Sequence, residues 1–212
     1  MFACDIDGVV ANFVNRFSKL LNKMDGRCPI LQNNNEAPTW DWKDWYAPEL
    51  PREEVSRLIE SAWNKIKSGT DSYFWCKDME PLFPETMPLL ARCAKEEPII
   101  FITRRDGVNP WGDTILWLRR HDITNPLLYV VKPGEEKGDV CKKLGIDVII
   151  DDAPKYADEI LSHGHKLIMP IWKYNQDYLD ENLLRQPNLY AANTLGEALT
   201  VACFISRESR RS

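Results

Sequence analysis

The stretch Phe2-Ala3-Cys4-Asp5-Ile6-Asp7-Gly8-Val9-Val10 joins a short apolar run to two carboxylates and a glycine. An apolar run of this length, without polar alternation, suits a strand buried on both faces. Asp5 and Asp7 stand at i and i+2, so both can point past the strand tip, and Gly8 lets the chain turn away sharply. One carboxylate can attack phosphorus while its neighbour works as general acid and base. Two close carboxylates repel, and a hard cation with oxygen ligands, such as magnesium, suits the pair. The plainer reading of the same residues is an Asp-Gly turn after an ordinary strand.

Working outward, residues 98–103, 127–131, 147–152 and 165–171 are also short, largely apolar and rich in Ile, Leu and Val, with 188–193 as one more such run. Helical patterns at 85–96, 111–121, 137–144, 154–163, 175–184 and 195–204 separate them. Alternating strand and helix predict an α/β protein: a Rossmann-like parallel sheet with helices on both faces, binding ligands beyond the carboxyl ends of its strands. Residues 14–84 break that rhythm. Phe13, Phe17, Leu20, Leu21 and Met24 share one helical stripe. Val55, Leu58, Ile59, Ala62 and Ile66 share another over 53–67, and between the two lie Trp40, Trp42, Trp45 and a polar loop at 32–36. The expected organisation is a core domain of residues 1–13 and 85–212, with residues 14–84 forming a helical cap inserted after the first strand.

Three more signals fall at strand ends. Asp151-Asp152 follows Val148-Ile149-Ile150, so carboxylates again end a buried strand; a helix N-cap before Pro154 is the competing reading. Thr103 ends the run Ile99-Ile100-Phe101-Ile102 and could hold a phosphate oxygen. Lys137 precedes Asp151 at the start of a helix, where a cation is unfavourable for the helix dipole, and it could balance the attacking carboxylate and the phosphoryl group. Lys132 is the rival for that role, and a solvated surface lysine is the bland alternative. The four signals share one order and one sheet edge.

Together they resemble the haloacid dehalogenase superfamily of phosphatases. Its D-x-D-G motif matches residues 5–8, its Thr matches Thr103, its Lys is taken as Lys137, and its acidic pair matches Asp151 and Asp152. The resemblance implies that Asp5 is the nucleophile and Asp7 the proton shuttle. It implies that Thr103 and Lys137 bind phosphate, and that magnesium is held by the Asp5 carboxylate, the backbone carbonyl of Asp7 and the Asp151 or Asp152 side chain; a guanidinium from Arg104 or Arg105 beside them could bind phosphate or a base edge, or form a structural ion pair. Within that superfamily the chain is similar to the 5′(3′)-deoxyribonucleotidases. The first motif continues as D-I-D-G-V-V-A-N-F, and a Trp-rich stretch is followed by Tyr73-Phe74-Trp75 and Glu80-Pro81-Leu82. The implied substrate is a nucleoside monophosphate whose base meets Phe13, Trp45, Phe74 or Trp75, since stacking on a base contributes roughly 1–3 kcal/mol. Three departures stand out: Thr103-Arg104-Arg105 replaces Thr-Ser-Pro, Asp113 lies where the family has a lysine, and Ala153 replaces an Arg after the acidic pair.

Composition narrows the classes. With 212 residues, 44% hydrophobic residues and a formal charge of −5, the chain reads as an ordinary globular protein without a basic face for nucleic acid. Its basic cluster Arg207, Arg210 and Arg211 reads as a solvated end. None of the six cysteines forms a C-x-x-C pair, so no zinc site is expected, and Cys4, Cys93 and Cys203 read as core residues. No apolar stretch approaches the ~20 residues of a membrane span, and no leader pattern is seen, so a cytoplasmic protein is expected. A homodimer is one open oligomeric state. The competing functions are a polynucleotide-end or sugar-phosphate phosphatase and, from another class, a non-catalytic nucleotide-binding protein.

Overall fold

The computed structural model describes residues 1–71 and 73–210. Its sheet has six strands: β1 (Phe2–Cys4), β2 (Ile99–Thr103), β3 (Leu127–Val130), β4 (Val148–Ile150), β5 (Lys166–Pro170) and β6 (Leu189–Ala192). They run in the order β3-β2-β1-β4-β5-β6 with every pairing parallel. Strand order therefore reverses between β1 and β4, where a doubly wound sheet opens a crevice at its carboxyl edge.

The strands sort their side chains by parity, as a pleated sheet must. Phe2, Cys4, Phe101, Ile150 and Ile168 belong to one apolar core, while Ala3, Ile102, Ile149, Leu167 and Met169 belong to another on the opposite face. The second core is closed by α5 (Lys137–Lys143), α6 (Pro154–Ser162) and α7 (Gln176–Asn182), through Val140, Cys141, Ala157, Ile160 and Leu179. The first is closed by α3 (Met87–Glu96), α4 (Pro110–Arg120) and α8 (Leu195–Ser209).

Between β1 and α3 the described residues contain no named strand. They hold α1 (Phe13–Met24), α2 (Arg52–Lys67) and 3-10 turns at Asn34–Glu36, Trp42–Trp45 and Pro84–Thr86. Asn12 caps α1 by accepting the Asn15 N–H at 3.2 Å. No side chain caps α2, but Glu53 and Glu54 lie in its first turn and Lys65 and Lys67 in its last, matching the helix dipole. The apolar stripes of α1 and α2 join the first core through Phe17, Leu20, Leu21, Val55, Ile59 and Ala62.

Some sequence expectations need correcting. The first strand stops at Cys4 because the Ile6 carbonyl accepts the N–H groups of Val10 and Ala11, both at 2.8 Å, which folds the chain into a tight turn. The last helix runs on to Ser209. Cys4 is core, but Cys93 and Cys203 are only half-buried. Arg207 and Arg210 are not merely solvated, since both pair with Glu97. Arg211 lies outside the described residues. No helix among the described residues is long and apolar enough to cross a membrane.

Candidate active site

Asp5 directly follows β1, and its N–H is held by the Ile150 carbonyl at 2.8 Å, so it leaves the sheet at the crevice. Thr103 ends β2, and Asp151 and Asp152 follow β4. The parallel register thus brings three strand tips, widely separated in sequence, to one place. Lys137, the first residue of α5, completes the group: its Nζ lies 2.8 Å from Asp5 Oδ2 and 2.5 Å from Asp151 Oδ2, with its side chain 1% exposed. Lys132, the rival, is exposed on the loop before α5 and does not border the cleft.

Gly8 is required by both backbone and space. Its φ is +83°, and a Cβ there would come within 2.1 Å of Asp152 Oδ2. The acidic pair divides its work. Both Asp151 oxygens are taken, one by Lys137 and one by the Ala153 N–H at 3.0 Å. Asp152 gives Oδ2 to the Tyr174 hydroxyl and leaves Oδ1 buried without a partner. Asp5 Oδ1 is likewise buried and unpartnered. Asp5, Asp151 and Asp152 offer oxygens within 4.8 Å of one another. Two orphaned carboxylate oxygens beside one lysine fit a divalent cation, because uncompensated buried anions are costly.

The electrostatics follow from burial. Desolvation pushes the Asp5 carboxyl up to about 7, with Asp151 and Asp7 adding repulsion against the pull of Lys137. Burial likewise raises Asp152 well above the carboxylate range, and Asp151 and Asp5 raise it further. Burial alone would lower Lys137, but the Asp151 and Asp5 carboxylates outweigh it and hold the ammonium above the usual lysine range.

Asp7 borders the same cleft but is held by a different partner. Arg105 grips it with two parallel bonds, Nε to Oδ2 at 2.9 Å and Nη2 to Oδ1 at 2.7 Å. The Arg105 side chain is 0% exposed and is itself held by the Trp75 carbonyl and the Thr114 hydroxyl. The departure Thr103-Arg104-Arg105 carried the signal of a guanidinium ion pair; the structure makes Arg105 its donor and Asp7 its partner. Arg104 borders the cleft, donates to the Glu135 carbonyl at 2.7 Å and lies over the Tyr156 ring.

These groups open into one cleft of about 360 Å³. Asp5, Asp7, Thr103, Lys137 and Asp152 form its polar floor. Phe13, Trp40, Trp42, Trp63 and Trp75 supply an aromatic wall, and Tyr156 and Tyr174 also line the cleft, Tyr174 against Trp40. Phe13 and Trp75 are stacked at 6.1 Å. Trp45 and Phe74, expected at the base, do not border this cleft. Trp45 turns inward, edge-on to Phe17 at 6.1 Å, with its Nε1 donating to the Thr39 carbonyl. Phe74 is 1% exposed and lies under the Arg16 guanidinium. Trp40, Trp42 and Trp63 take their places. The loop after β5 supplies Tyr174, as sheet topology alone would allow, since that loop leaves the same edge.

A doubly wound sheet with an Asp-x-Asp-Gly turn after its first strand, and Thr, Lys and an acidic pair at the neighbouring tips, has the arrangement of a haloacid dehalogenase-type hydrolase. Solved structures agree on the fold. A haloacid dehalogenase-like hydrolase from Streptococcus pneumoniae shares 16% identity at a TM-score of 0.57, covering 96% of this chain and 97% of that one. One from Deinococcus radiodurans, with bound phosphate and sodium, shares 14% at 0.54, covering 91% and 90%. No curated relative matches the sequence. The family described as 5′ nucleotidase, deoxy (pyrimidine), cytosolic type C protein matches residues 1–181, and the chain belongs to it. It is accordingly a phosphatase of the nucleotidase class.

Proposed function

We propose that the chain hydrolyses nucleoside monophosphates, deoxyribonucleotides foremost, in a magnesium-dependent reaction through an aspartyl-phosphate. The observation that carries this reading is a single cleft with Asp5, Thr103 and Lys137 on its floor and a wall of indole and phenyl faces above. Asp5 attacks phosphorus and forms the new P–O bond as the nucleoside oxygen leaves. Asp7 gives that oxygen its proton. Asp7 then takes a proton from the water that attacks phosphorus, and inorganic phosphate and the free Asp5 carboxylate result. Thr103, Arg104 and Lys137 orient the phosphoryl oxygens and balance their charge. Asp5 and Asp152, each with one buried oxygen that has no partner and within one cluster of carboxylates, would hold magnesium, which would supply charge neutralisation at the transferring group. Residues 14–84 act as the cap, with Phe13 and Trp75 as the base-stacking pair.

The test is phosphate release from a panel of ribo- and deoxyribonucleoside monophosphates, p-nitrophenyl phosphate and a sugar phosphate, with magnesium or with EDTA. Magnesium-dependent turnover concentrated on a few nucleotides supports the reading. Equal turnover of nucleotides and simple esters would return the aromatic wall to packing. A polynucleotide-end phosphatase would instead bind oligonucleotides with a steep salt dependence.

A further inference from the structure

A polar chain joins the helical insertion, the loop after β5 and Asp152, and its members Asn34 and Tyr174 have no part in the proposed reaction. Asn34 belongs to the 3-10 turn of the helical insertion and is 0% exposed, although its sequence neighbourhood reads as a solvated loop. Its Nδ2 donates to the Gly8 carbonyl and to the Tyr174 hydroxyl oxygen, each at 3.0 Å. The Tyr174 hydroxyl donates to Asp152 Oδ2. A phenol has one proton to give, so this chain has one direction: amide to phenol, phenol to carboxylate. Its far end is the carboxylate whose other oxygen, Oδ1, is buried and unpartnered, in a residue that clusters with Asp5 and Asp151.

The relay is braced on every side. Asn175 donates to the Asp152 carbonyl at 3.0 Å and to the Pro170 carbonyl at 2.8 Å, which fixes the backbone around both ends. Trp172 Nε1 donates to the same Gly8 carbonyl at 2.9 Å. Trp40, from the insertion, lies against the Tyr174 ring at 5.1 Å. One carboxylate oxygen is thereby immobilised and the other is left free. A metal ligand needs this arrangement, because a carboxylate locked by an outer hydrogen bond loses little freedom when a cation arrives.

We propose that Tyr174 is a positioning residue for Asp152 as a divalent-cation ligand, and that Asn34 sets Tyr174, so that seating of the helical insertion governs cation affinity. This rests on the reading of Asp152 as a metal ligand, and the test separates the two. Mn²⁺, which accepts the same all-oxygen ligand set, is titrated into the metal-free full-length chain without nucleotide, and free Mn²⁺ is read by electron paramagnetic resonance. Tyr174→Phe removes one hydroxyl and keeps the ring. Its dissociation constant is expected to rise by roughly tenfold or more, the usual cost of losing an outer-shell partner. Asn34→Ala is expected to weaken binding in the same direction. The double variant should bind about as weakly as Tyr174→Phe alone, since both act through one relay.

Unchanged or tighter binding by Tyr174→Phe, with its metal-free melting temperature kept, would overturn the proposal. Weakening by Tyr174→Phe with none by Asn34→Ala would overturn the role of the insertion. Asp152→Asn that still binds Mn²⁺ like the unaltered chain would instead sink the ligand assignment itself.

Discussion

Replacing Arg105 by Met probes the clamp on Asp7. The substitution keeps a long unbranched side chain but removes the guanidinium, and with it two charge-assisted bonds to Asp7 and the donors to the Trp75 carbonyl and Thr114. Removing one partner of a buried ion pair costs about 3–5 kcal/mol, because the other charge is stranded. Asp7 keeps 19% side-chain exposure and can recover some water, so the lower end, about 3 kcal/mol, applies. For a domain of this size each kcal/mol moves the midpoint by ~2–4 °C, giving a fall of roughly 6–12 °C by calorimetry. Turnover should fall by about 10²–10⁴, the usual contribution of a positioned proton shuttle. Arg105→Lys should recover little, since an ammonium cannot make the paired bonds. A midpoint within 2 °C of the unaltered chain, or turnover within twofold, would refute the reasoning.

Other outcomes follow from the same geometry. Asp5→Asn should abolish turnover, and residual activity above a thousandth would remove Asp5 as nucleophile. Gly8→Ala should lower both stability and activity, because its Cβ would collide with Asp152 at a φ of +83°; normal behaviour in melting and phosphate-release assays would contradict the packing. The Asp5 carboxyl, raised by burial from 3.8 to about 7, holds a proton in the folded chain that the unfolded chain has lost. Stability of the metal-free protein should therefore fall as pH rises from about 4 to about 7, and Asp5→Asn should flatten that slope in melts. Phe13→Ala should raise KM for nucleotides while sparing p-nitrophenyl phosphate, and equal damage to both would make Phe13 a packing residue.

The strand–helix alternation was readable because buried parallel strands leave short runs of Ile and Val, as at 99–102 and 148–150. Asp5, Thr103 and the acidic pair stood out because each ends such a run. Lys137 could be placed only beside a rival, since nothing in a lysine's neighbours says whether a helix start faces the sheet edge or solvent. Which rings line the cleft was not legible for a related reason: a cluster of rings has no periodicity to tell wall from core, and neither Trp45 nor Phe74 borders it. Asn34 was hidden most fully, because an asparagine in Gln32-Asn33-Asn34-Asn35 reads as solvated until two acceptors are brought to it from the turn after β1 and the loop after β5.

The pairing of β1 also bears on how the chain assembles. Phe2 joins Ile99 and Ala3 joins Ile149, so the strand that leads into Asp5 finds its neighbours only across long stretches of chain. Contacts of that span slow folding. On a ribosome adding roughly 5–20 residues per second, the first strand synthesised must wait on the order of ten seconds for β4 to emerge. A chain cut before β4 lacks one of the two strands between which the tip bearing Asp5 is held.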